Sequence, residues 1–135
     1  MDIVSRQRIN LLIQLADLSS DDVLSPEFIF IKRVAKECNF CLLELNKLLK
    51  NPEPIGSFGA LSPKQKKEYV VSICELMMLV ELTRQNQMLC QKVTYDLGYN
   101  KLQFDGLKAQ IQSNLQLNDS KVYLQQKLVR SNLSA

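Results

Sequence analysis

The chain contains no histidine. Its absence removes the commonest general base near neutral pH, the Ser-His-Asp arrangement, and every zinc site built on an imidazole. Tryptophan is missing too, and only 4 glycines and 4 prolines interrupt the 135 residues, which favours long regular elements over a turn-rich β architecture. No apolar run approaches the roughly 20 residues that span a bilayer. Met1-Asp2-Ile3-Val4 also lacks a basic stretch leading into an apolar one, so a cytoplasmic protein without a transmembrane segment is expected. The balance of 17 Lys and Arg against 14 Asp and Glu leaves a net charge of +3, too mild by itself to imply nucleic acid as a partner.

What is present is an ordinary globular composition, 46% hydrophobic and 23% charged, which excludes disordered and fibrous classes. The length suits one core, so a single all-α domain over 1–135 is expected, frayed at 1–2 and 131–135. Ile9, Leu12, Ile13 and Ala16 recur at helical spacing and predict a first helix over Ile3 to Leu18. Ser25-Pro26-Glu27 combines an N-cap hydroxyl, a first-turn proline and an acid at the positive helix end. The second helix should bury Phe28, Ile31, Val34, Ala35 and Cys38 and stop near Asn39, which tolerates left-handed backbone. Leu42, Leu45, Leu48 and Leu49 mark a third, ended by Asn51-Pro52 because the residue before proline is pushed out of helical space.

After a loop from Pro52 to Leu61, Ser62-Pro63 repeats the start signal. Tyr69, Ile73, Leu76, Met77 and Val80 continue it as the expected central helix. Leu89, Cys90, Val93 and Leu97 form the next stripe, closed by Gly98 as a C′ residue. Asn100 should cap a sixth helix facing inward through Leu102, Leu107 and Ile111. A seventh is expected around Ser120 to Val129, with Val122, Tyr123 and Leu128. The halves also look alike. Gln14-Leu15-Ala16, then a helix ending Cys38-Asn39-Phe40, then a leucine-rich helix, is echoed by Glu75-Leu76-Met77, a helix ending Leu97-Gly98-Tyr99, and Leu102 to Ile111.

These residues give the chain a resemblance to the tellurite-resistance TerB-like family, in its compact single-domain bacterial version. The pattern runs from Arg8 to Gln112 through Ile9 to Ala16, Phe30 to Lys36, Leu49 to Pro54, Glu68-Tyr69-Val70, Glu75-Leu76-Met77 and Cys90 to Tyr99. The resemblance implies about seven helices in two pseudo-symmetric repeats around a central helix, and a role in tellurite or stress biology. Family members carry Asp-Gly after the first helix of each repeat and a Glu several residues on, acids associated with metal binding. Here Ser19-Ser20 and Leu79-Val80-Glu81 stand at those places, and the later acidic stretch reads Arg84-Gln85-Asn86-Gln87.

Asp17, Asp21, Asp22 and Glu27 remain in the first half, enough hard oxygens for Ca²⁺ or Mg²⁺ if the loop folds back on itself. Against this, the sharp-turn glycine of such loops is absent, and Glu27 has a second use at a helix end, so any metal binding is expected to be weak. Cys38-Asn39-Phe40-Cys41 has redox or zinc-knuckle spacing, with Cys74 and Cys90 available, but Cys38 and Cys90 fall on buried stripes where cysteine acts as a small hydrophobe. Lys64-Gln65-Lys66-Lys67, with Arg6, Arg8, Lys32 and Arg33, could form a basic surface, though only Tyr69 lies near for stacking. Met77-Met78-Leu79-Val80 and Met88 could form a soft binding surface or dimer contact, because four consecutive apolar residues cannot share one helix face. Phe58 is a further expected anchor at a loop tip. No catalytic or cofactor-binding residue is assigned. The expectation is a non-enzymatic binding or scaffold module with an unidentified protein partner or a second copy. The alternative is a divalent-metal sensor or metal-dependent enzyme using the acidic loop.

Overall fold

In the computed structural model, residues 3–18 and 24–114 are described, and among them every regular element is a helix. The order is α1 (Ile3–Leu15), α2 (Pro26–Glu37), α3 (Leu42–Lys50), α4 (Pro63–Leu79) and α5 (Arg84–Asp96). A sixth helix, α6, covers 101–114. That is one fewer than the seven expected, and the stretch from Ser120 to Val129 lies outside the described residues.

Local chemistry sets most boundaries. The Ser25 hydroxyl accepts from the Phe28 amide at the start of α2. Ser62 and Gln65 exchange side chain-to-backbone bonds in a capping box at the start of α4. Asn100 and Gln103 do the same at the start of α6, and Thr83 caps α5 through the Asn86 amide. Three helices end alike, with one left-handed residue followed by an amide reaching back five positions. Asp17 (φ 52), Asn39 (φ 56) and Gly98 (φ 93) take that conformation. Leu18, Phe40 and Tyr99 then donate to the carbonyls of Ile13, Ala35 and Thr94. Asn39 and Gly98 fall where the sequence placed them. Asp17 ends α1 three residues earlier than the expected stop at Leu18.

Gly98 has the largest positive φ of the three, and nothing lies within 4 Å of the space a Cβ would fill. Gly98→Ala is therefore expected to cost about 1–2 kcal/mol through backbone conformation alone, read as a lower urea midpoint with unchanged m-value. Asn39→Gly should leave the midpoint equal or higher.

Two helices share the centre. α1 packs against α2, α3, α4 and α5, and α4 packs against α1, α2 and α5. α4 was expected to hold the centre alone, but α1 carries the longer unbroken buried run, from Ile9 through Ile13. Such a run on a helix needs neighbours on several sides, since each residue turns by about 100°. Around this pair lies one cluster of buried apolar side chains including Ile31, Leu45, Leu48, Val70, Ile73 and Leu97.

The loop between α3 and α4 is held by α1. Asn10, almost fully buried, accepts from the Glu53 amide at 2.8 Å and donates to the Glu53 carbonyl at 2.9 Å, pairing with that peptide as a neighbouring strand would. Gln14 donates to the same carbonyl, and the Arg6 guanidinium binds the Glu53 carboxylate while reaching Glu44 at 3.1 Å. Farther along, Phe58 is buried edge-to-face on Tyr69, with ring centroids 6.3 Å apart. The expectation of Phe58 as an exposed anchor is corrected here: its ring serves the core.

Candidate functional site

The acidic residues of the first half do different things. Asp17 is exposed, and its left-handed backbone terminates α1. Glu27 sits in the first turn of α2, where its charge meets the positive helix end. Asp21 and Asp22 lie outside the described residues. Among the described residues no group of three or more His, Cys, Asp or Glu side chains converges as a cation site would require.

All four thiols are free. Cys38 is half-buried, and its sulfur accepts from Arg8 Nη1 at 3.6 Å; the same guanidinium donates through Nε to the buried Ser72 hydroxyl at 2.8 Å. Cys41 is exposed at the N-cap of α3 without a side-chain capping bond. Cys74 and Cys90 are buried, and burial pushes each thiol up to about 11. Titration of native protein with a disulfide reagent should therefore modify Cys41 first and Cys38 more slowly. Cys74 and Cys90 should react only on unfolding, because both access and thiolate are withheld. Fast modification of all four in the native state is the opposite outcome.

The basic residues that could have extended a cationic surface are largely engaged. Arg6 is tied to Glu44 and Glu53, which raises its pKa, chiefly through the hydrogen bond to Glu53. The Glu44 carboxyl is held below its usual range, first by Arg6 and then by Lys47. Arg33 pairs with Glu75 at 3.0 Å and lies over the Phe30 ring. Burial raises the Glu75 pKa, and Arg33 opposes that shift. Arg8 is turned inward to Ser72 and Cys38, as described. Lys64, Lys66 and Lys67 occupy the solvated first turns of α4.

Ile3, Leu24, Ile29, Leu42 and Leu43 are exposed on or beside the first three helices, and a further exposed apolar side is formed by the end of α4 with α5 and α6. One hollow of about 280 Å³ lies between these helices, lined by Met77, Thr94, Tyr95, Tyr99, Phe104 and Lys108 among others. A second, of about 500 Å³, is lined by Met77, Met78, Leu79, Leu82, Gln87 and Lys108 among others. Met77, Gln91 and Lys108 border both, so the two adjoin. Leu79 (48% exposed), Met88 (62%), Tyr95 (73%) and Leu102 (82%) belong to these same elements and stay in solvent. The expected inward position of Leu102 is therefore corrected. Phe104 is the buried anchor of α6, with Leu107 and Ile111 half-buried beside it.

No family model, curated protein or solved structure matches the chain. The methionine run was legible as an exposed-face candidate. Tyr95, Tyr99, Phe104 and Lys108 were missed, because Gly98 breaks the helix between Tyr95 and Tyr99 and no single helical period joins the four.

Proposed function

We propose that the protein is a non-enzymatic helical binding or scaffold module of the TerB-like kind, with the α4–α5–α6 side as its working face. One observation carries this reading: the exposed apolar side chains Leu79, Met88, Tyr95 and Leu102 lie on the three helices that frame the adjoining hollows. Methionine side chains on such a face adapt to a partner's shape. One feature supports the finer family expectation of two related halves: α1 and α4 share the centre. A cytoplasmic setting suits four unpaired thiols, and no helix among the described residues is long and apolar enough to cross a membrane.

The test uses the double variant Met88→Asp, Tyr95→Asp, which changes two exposed side chains and should leave the unfolding midpoint almost unchanged. Captured from the native cell, it should lose a protein that co-purifies stoichiometrically with the wild type, while Lys64→Asp keeps it. Equal capture by both variants removes the α4–α5–α6 side as the working face.

A further inference from the structure

The smaller hollow has a chemistry of its own. Its floor is apolar, made by the buried Phe104 and the partly buried Met77, and Tyr95 and Tyr99 form aromatic walls. Its rim carries two ammonium groups, Lys101 and Lys108, against one carboxylate, Asp105. Asn100 and Lys101 also bring the positive end of α6 to the same edge. Lys108 is the informative residue. It is half-buried, yet among the described residues neither it nor Lys101 is in an ion pair. Lys108 borders the hollow with no such ion pair to surrender, so an anion arriving from solution gains a charge-assisted hydrogen bond without breaking an existing one. The excess of cations over acids on the rim makes an aromatic cage for a cationic ligand the poorer fit.

Size narrows the class further. A cavity of roughly 150 Å³ accepts a benzene ring, and drug-sized ligands occupy roughly 300–1,000 Å³. At about 280 Å³ the hollow suits a ligand of one or two fused rings. We propose that it is a binding site for a small aromatic carboxylate, with the ring between Tyr95, Tyr99, Phe104 and Met77 and the carboxylate on Lys108. The site needs no protein partner, so it stands or fails separately from the docking role of the surrounding face.

The probe is 2-naphthoate, titrated into the full chain at low salt and followed by amide chemical shifts. Saturable shifts should centre on Thr94, Tyr99, Phe104 and Lys108. 2-Naphthalenemethanol, which keeps the rings and lacks the charge, should bind at least tenfold more weakly. Lys108→Met should weaken naphthoate at least tenfold while leaving the alcohol unaffected, and Lys108→Arg should retain naphthoate within a few-fold. Lys108 has no ion pair to lose, so both variants should keep the wild-type unfolding midpoint. Absence of saturation, shifts centred elsewhere, equal binding of acid and alcohol, or indifference to Lys108→Met overturns the proposal.

Discussion

Tyr69→Ala is expected to lower the unfolding free energy by about 3–5 kcal/mol, the range for deleting a large buried aromatic side chain. Tyr69 is 1% exposed and joins three parts of the chain. Its ring stands on α4, Phe58 of the preceding loop packs edge-to-face on it, and its hydroxyl donates to the Val4 carbonyl on α1. Set against the ~5–15 kcal/mol that holds a typical domain folded, this loss is a large share, read as a lower urea midpoint and a lower melting temperature by helical dichroism. Tyr69→Phe separates the contributions. It keeps the ring and loses the hydroxyl, so it should cost only about 1–2 kcal/mol. Equal effects of the two substitutions would mean that the hydrogen bond, not the packing, dominates at this position.

Asn10→Ala is expected to cost about 2–4 kcal/mol, combining a buried donor left without its acceptor and a small cavity. The Glu53 amide loses its acceptor, while the Glu53 carbonyl keeps the bond from Gln14. Gln14→Ala should therefore cost less, about 1 kcal/mol, since Asn10 still donates to that carbonyl. Urea unfolding measures both effects. Limited proteolysis gives an independent reading: Asn10→Ala should open 52–61 to cleavage under conditions where the wild type resists it. If the two substitutions cost the same, the paired geometry of Asn10 has no special weight.

The sequence showed best what is decided within a few residues. Ser25-Pro26, Ser62-Pro63, Asn39 and Gly98 act through neighbours three to five positions away, and each falls at the helix end assigned to it. Asp17 drew attention in the sequence for its acid side chain, and the structure adds that its left-handed backbone stops α1. Leu102 and Phe104 show the limit of periodicity in a short amphipathic stretch. Leu102, Leu107 and Ile111 suggested one face, but the ring of Phe104 took the core and left Leu102 outside. The Asn10–Glu53 pairing and the burial of Phe58 join distant parts of the chain, and no local pattern announces them. The hollow was equally hidden, since its floor and rim come from three helices.

The enclosed position of α1 also bears on how the protein is made. Within this chain α1 emerges from the ribosome first, yet the last of the five helices packed around the centre is complete only roughly eighty residues later. At about 5–20 residues per second, the greasy side of α1 has to wait on the order of 4–16 s for its full covering. During nascent synthesis a pause in translation after α3 would lengthen that exposure more than a pause anywhere beyond α5.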